Sequence, residues 1–187
     1  MRIDKKTGIL DIAEYIHSPN CDTRPKNCEI TLLVIHNISL PPGKFGGPHI
    51  SQLFTNCLNP KDDPFFEEIC HLKVSSHLLI RRDGSITQYV PFQQRAWHAG
   101  VSEYNGQTHC NDYSIGIELE GTDTEEYEAE QYKVLAKITQ EILKTYPGIK
   151  ADRITGHSNI APERKTDPGP AFKWAQFLSM LNPNDNN

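Results

Sequence analysis

The chain has no apolar run approaching the length of a membrane span. Its amino terminus, Met1-Arg-Ile-Asp-Lys-Lys-Thr-Gly8, lacks the apolar stretch and small-residue cleavage site of a secretory signal. Neither membrane insertion nor signal-directed export is therefore expected. There is no Cys-x-x-Cys pair among the five cysteines, Cys21, Cys28, Cys57, Cys70 and Cys110. Their odd number and wide separation speak against a disulfide framework or a thiolate zinc site, so they read as free thiols of a cytosolic protein. No basic stripe stands out and the formal net charge is -5, which excludes the counterion-replacing surface of a nucleic-acid binder. Repeats and low-complexity tracts are missing too, apart from the polar tail Asn182-Pro-Asn-Asp-Asn-Asn187, expected to fray. What remains, 37% hydrophobic and 23% charged residues, suits a soluble globular protein. A length of 187 residues fits one domain with a core over about 18–181.

Hydrophobic patterning predicts an α/β (α+β) fold with a central mixed sheet flanked by helices. Residues 1–30, with Pro19 and Pro25, read as irregular. Thr31 to His36 is a continuous apolar, β-branched run, as expected of a strand covered on both faces. A loop rich in proline and glycine follows, then a short helix near Ile50 to Cys57. Asp83-Gly84 between Ser75–Arg82 and Ser85–Pro91 signals a hairpin. In Tyr113 to Gly121, Ile115, Ile117 and Leu119 alternate with Gly116, Glu118 and Glu120, the pattern of a half-buried strand. Glu128 to Tyr146 carries Tyr132, Leu135, Ile138, Ile142 and Tyr146 at helical spacing, and Pro147-Gly148 ends it. A strand near Arg153 to His157 then completes a right-handed strand–helix–strand crossover with parallel pairing. Pro170 opens a last helix, with Phe172, Ala175, Leu178 and Leu181 facing inward.

The chemistry gathers at strand ends. His36 closes one predicted strand and His157 another, while Asp167 lies in a loop braced by Pro162, Pro168 and Pro170. A lone histidine at a strand end is more often a hydrogen-bonded structural group. Two of them with a carboxylate in a stiffened loop form instead a three-ligand set for a catalytic zinc, with a fourth position for water. Glu118 or Glu120 then supplies a proton acceptor, Glu118 being the deeper, and Gly116 on the same face lets another group approach closely. A repeated carboxylate is costly without a nearby cation, which zinc would provide. Lys165 is placed to meet the oxygen that turns negative in a tetrahedral intermediate. Trp97, in Ala96-Trp-His-Ala-Gly100, reads either as a platform for an apolar sugar face or as core. His17, His49, His71, His77 and His109 carry no metal argument of their own.

Val34-Ile-His-Asn37, Ala96-Trp-His-Ala-Gly100, Ser114-Ile-Gly-Ile-Glu118 and Gly156-His157 through Lys165-Thr-Asp167 resemble the zinc-dependent N-acetylmuramoyl-L-alanine amidases. Those enzymes share a fold with peptidoglycan recognition proteins. Ile38-Ser-Leu-Pro-Pro-Gly43, Phe45-Gly-Gly-Pro48, Ile80-Arg-Arg-Asp-Gly84 and Glu118-Leu-Glu-Gly-Thr-Asp123 bring it nearest to the cytosolic members that recycle anhydro-muropeptides. The resemblance spans roughly Ser18 to Trp174. It implies one zinc ion on His36, His157 and Asp167, a catalytic Glu118, and Lys165 at the scissile carbonyl. The implied activity is hydrolysis of the amide between the lactyl group of (1,6-anhydro-)N-acetylmuramic acid and L-Ala. Asn37, Ala96, Trp97 and Ala161 match positions that hold the muropeptide. Lys73 and His109 stand where close relatives carry arginines for substrate carboxylates; lysine loses the bidentate fork, and neutral histidine loses the charge as well. The expected partner is this small molecule, met by a monomer without membrane or nucleic acid. A non-catalytic muropeptide receptor on the same fold and an exported amidase acting on polymeric wall are the alternatives.

Overall fold

The computed structural model describes residues 1–181, so the expected fraying of the tail lies outside the described residues. Residues 1–30 are more ordered than their composition suggests, holding β1 (Ile3–Asp4), β2 (Ile9–Leu10), β3 (Glu14–Tyr15) and β4 (Cys21–Thr23). Strands of two or three residues are too short to show a period of two in sequence. Then come β5 (Leu32–Ile38), α1 (His49–Phe54), α2 (Pro64–Ile69), β6 (Leu78–Ile80), β7 (Ile86–Gln88), β8 (Gln94–Ala96), β9 (Glu103–Tyr104) and β10 (Gln107–Thr108). The chain continues through β11 (Ser114–Glu120), α3 (Ala129–Thr145), β12 (Ile154–Gly156), α4 (His157–Ile160) and α5 (Trp174–Leu181).

One six-stranded sheet, in the order β12-β5-β11-β6-β7-β3, organises these elements. β5 runs parallel to β12 and β11, β11 runs parallel to β6, and β6 and β7 form the antiparallel hairpin that Asp83-Gly84 announced. The sheet is mixed, as expected. The crossover through α3 keeps its strands parallel, but β12 pairs with β5 rather than with β11. Both edges of β11 are already taken by β5 and β6.

Alternation along the central strands decides which face builds the core and which builds the site. Leu33, Ile35, Ile115, Ile117 and Leu119 pack with Leu135, Ile138 and Ile142 of α3 and with Phe177 and Leu181 of α5. Each such side chain, fully buried, contributes about 1.5–3 kcal/mol. The other face carries Leu32 and Val34, packed with Cys110, Tyr113 and Ile160, and continues to His36. α1 and α2 add Ile50, Leu53, Phe54 and Phe66 to a further cluster with Leu79 and Tyr89. Asp63 caps α2 by accepting from the Phe65 N–H at 3.0 Å, and Pro64 opens the helix. At α3, Gln131 Oε1 accepts from the Glu128 N–H while its amide donates to the Ile80 and Glu120 carbonyls, tying helix to sheet.

Three further sequence expectations need correction. β11 is buried on both faces along its whole length, because loops cover its Gly116–Glu118 side. The first helix stops at Phe54, short of Cys57, since Asn56 turns back at a φ of 61°. α5 begins at Trp174 rather than at Pro170, and Phe177 with Leu181 face inward while Ala175 and Leu178 are exposed. Phe172 packs before the helix, against Tyr127, Tyr132 and Trp174, and so removes a turn from the expected register.

Candidate active site

Three parallel strands converge on a single rung: β5 and β11 each carry one site residue there, and β12 hands on to His157, the first residue of α4. Glu118 of β11 pairs in register with His36 of β5, and Gly156 of β12 pairs with Ile35, so His157 follows at the level of His36. The rung lies at the carboxyl ends of the parallel strands, where open α/β sheets place their ligands. Asp167 reaches the same point from the loop after α4. His36 Nδ1 stands 3.0 Å from His157 Nδ1 and 3.0 Å from Asp167 Oδ2, and His157 Nδ1 is 3.1 Å from the same oxygen. Ligand atoms around a tetrahedral zinc lie about 3.3 Å apart, given bonds near 2.0–2.1 Å. The triangle is thus slightly contracted but has the size and donor chemistry of a three-ligand zinc site. The far nitrogen of each ring is occupied: His157 Nε2 lies 3.1 Å from the Ala99 carbonyl and His36 Nε2 lies 2.9 Å from His98 Nδ1. That leaves both Nδ1 lone pairs directed at the common point, so the residues fit the metal.

The electrostatics point the same way. Burial lowers the His36 pKa to about 4 against the pull of Asp167, keeping the ring neutral as a ligand must be. Burial alone would raise the Asp167 carboxyl, but hydrogen bonds from His157 and His36 outweigh it and hold the group well below the ordinary carboxylate range. Glu118 behaves oppositely: burial first and Asp167 second push its pKa well up, with Lys165 opposing. Glu118 Oε2 is buried without a hydrogen-bond partner among the described residues, an atom awaiting a donor. Glu118, His157, Lys165 and Asp167 line a cleft of about 370 Å³ whose outer wall is apolar, built from Phe54, Phe65 and Leu72.

The sequence profile of the N-acetylmuramoyl-L-alanine amidases matches residues 26–170. The chain is also 61% identical over 174 residues to the 1,6-anhydro-N-acetylmuramyl-L-alanine amidase AmpD of Escherichia coli, covering 93% of this chain and 94% of that one. The chain belongs to the N-acetylmuramoyl-L-alanine amidase family. A crystal structure of a selenomethionine AmpD derivative superposes on this amidase with a TM-score of 0.93 at 57% identity, covering 97% of this chain and 99% of that one. The E. coli amidase AmiD, solved with anhydro-N-acetylmuramic acid-L-Ala-D-γ-Glu-L-Lys, superposes with a TM-score of 0.60 at 30% identity, covering 84% of this chain and 60% of that one.

Within the amidase, the other residues singled out from sequence divide into two groups. Asn37 and half-buried Trp97 line the cleft, and Asn37 Nδ2 donates to Asp123 Oδ1 at 2.8 Å. Ala161 is buried at the end of α4, where its carbonyl accepts the Arg164 and Lys165 N–H groups and so aims the loop that carries Lys165. Ala96 is fully buried in β8 opposite Cys21, while Lys73 and His109 are exposed; none of these three lines the cleft. Glu120 does not share a cation with Glu118, as the sequence argument supposed. It accepts from Arg81 Nη1 at 3.1 Å and from the Gly46 N–H at 2.7 Å. His77 carried no metal argument in the sequence and the His98 imidazole was left in its loop without a role, yet both are buried beside the rung. The legible signal was Gly116: a Cβ there would lie 2.4 Å from His98 Cγ, so the close approach that glycine permits is made by this ring.

Proposed function

We propose that the amidase uses one zinc ion, held by His36, His157 and Asp167, to hydrolyse the amide between 1,6-anhydro-N-acetylmuramic acid and L-Ala of soluble muropeptides. The observation that carries this reading is the convergence of three donor atoms, two imidazole and one carboxylate, within 4.8 Å of one another on the rung shared by Glu118. A zinc ion held by these three residues would supply Lewis-acid polarisation of the scissile carbonyl and a water acidified toward neutral pH. Glu118 accepts the proton of the attacking water and passes it to the departing L-Ala amine. Alone, its buried carboxyl favours the protonated form, but a cation on the neighbouring donors together with Lys165 favours the carboxylate that a base requires. Lys165 donates to the oxygen that becomes negative. Asn37 and Trp97 hold the substrate along the cleft. A second cleft of about 520 Å³ shares Asn37, Lys165 and Asp167, giving room on both sides of the scissile bond. Lys73 and His109 bind further along the stem peptide, without the bidentate grip of arginine.

Among the described residues no helix is long and apolar enough to cross a membrane, and all five cysteines are unpaired. The unpaired thiols suit the reducing cytosol, where an enzyme that recycles wall fragments would meet its substrate. The test incubates the protein with anhydro-muropeptide and, separately, with intact sacculi, with and without chelator. Free peptide should appear from the soluble fragment, disappear with chelator and return with added zinc. Peptide release undiminished after metal stripping would overturn the zinc mechanism, and preferential attack on sacculi would overturn the recycling role.

A further inference from the structure

His98 is a buried imidazole to which the proposed mechanism gives no part. It sits between residues of β5 and β11. Its Nδ1 lies 2.9 Å from His36 Nε2 and its Nε2 lies 3.1 Å from Ser114 Oγ. The ring fills the space that Gly116 leaves open. Its backbone is pinned as well, since Asn111 Oδ1 accepts the N–H of His98 at 3.1 Å and of Ala99 at 2.8 Å. The Ala99 carbonyl in turn accepts from His157 Nε2 and, at 2.7 Å, from Arg164 Nη2. Two consecutive residues thus support the far nitrogens of both imidazoles of the triangle.

We propose that His98 is a positioning residue that fixes the tautomer of His36 and sets the affinity of the metal site, an inference that rests on His36 being a metal ligand. A histidine that offers Nδ1 to a metal carries its proton on Nε2. That proton has one acceptor nearby, His98 Nδ1, which must then be bare. The His98 proton consequently sits on Nε2 and is donated to Ser114 Oγ. The opposite arrangement, with Ser114 donating to His98 and His98 donating to His36, leaves a proton on His36 Nδ1 and blocks coordination. The hydrogen-bonded row His36–His98–Ser114 therefore has two proton arrangements, and only one of them accepts zinc. Ser114 and His98 bias the choice although neither reaches the metal position.

Zinc affinity measured by chelator competition on His98→Ala, His98→Gln, Ser114→Ala and His36→Ala, beside thermal unfolding of the metal-free proteins, tests the proposal. His98→Ala should bind zinc about 10–100-fold more weakly, as expected for loss of an outer hydrogen bond to a ligating histidine. His98→Gln, whose Oε1 can accept from His36 Nε2, should recover part of that loss. Ser114→Ala should weaken binding about five-fold, the scale of one neutral hydrogen bond. If His98→Ala does not fold, the Gln and Ser114 variants carry the test, and wild-type zinc affinity in both overturns it. A lowered unfolding temperature with unchanged zinc affinity in His98→Ala would show a merely structural ring and overturn it too. The control separates the two levels: His36→Ala with undiminished affinity refutes the metal site itself, whereas loss there without loss in His98→Ala refutes only the role of His98.

Discussion

At the scale of residues, Glu118 and Glu120 leave the same strand two positions apart and meet opposite surroundings. Glu120 is 2% exposed in its side chain and paired with Arg81, a structural carboxylate. Glu118 has burial, Asp167 and an unfilled oxygen, the environment of a group that exchanges protons. Glu118→Gln should therefore retain zinc while turnover falls about 10²–10⁴-fold, the usual worth of a general base. Metal analysis and steady-state kinetics on the same preparation check it, and wild-type turnover would remove Glu118 from that role. Asp167→Ala should instead lose the metal, because two imidazoles alone make a poor zinc site. Stoichiometric zinc retained at unchanged affinity would rule Asp167 out. Sequence marked His36, His157 and Asp167 because strand ends and a proline-braced loop are local features. It left Glu118 and Glu120 nearly equivalent, since the guanidinium that separates them sits 39 residues away from Glu120. His98 was harder still: its neighbour His36 is 62 residues distant, and nothing local states that they touch.

At the scale of elements, long periodic segments were legible and short ones were not. α3 carries enough turns for its apolar stripe to speak, and β5 enough β-branched residues for burial on both faces to show. Of the short strands at the amino end, β1 and β2 pair with each other, while β3 is held against β7 and β4 against β8, distant pairings that no local pattern encodes. The register of α5 was misread because an aromatic before the helix, Phe172, occupies the place an inward helical residue would have taken. β11 shows how tightly the site is built into the sheet. Gly116→Ala would place a methyl group 2.4 Å from His98 Cγ, and overpacking of this kind costs about 1–3 kcal/mol. Urea denaturation of the metal-free variant should show that loss, with zinc affinity falling as the ring is displaced. An unchanged midpoint would mean that the 96–99 loop yields more readily than its hydrogen bonds to Asn111 imply.

At the scale of the whole molecule, the buried imidazoles make stability depend on pH. Burial first, and Arg24 second, lower the His77 pKa to about 3 from an ordinary 6.5, and burial holds His98 low as well. A depressed histidine pKa means that below 6.5 the unfolded chain binds more protons than the folded one. Stability is therefore full above that pH and declines as the medium is acidified, by about 2 kcal/mol at pH 5 for His77 alone, at 1.36 kcal/mol per pH unit. Urea midpoints of the metal-free protein at pH 7.5 and 5 should differ accordingly, and His77→Gln should flatten the difference; equal slopes for both proteins would contradict the assignment. The shared rung of β11, β5 and β12 has one more consequence. A slip of β12 by a single residue turns the imidazole of His157 to the opposite side of the sheet, and the triangle is lost. A chain folded out of register has no pincer for the cation. Zinc held on the proposed ligands would act as an inspector of strand alignment: it would reward only correctly threaded molecules, and their melting temperature should rise with zinc concentration.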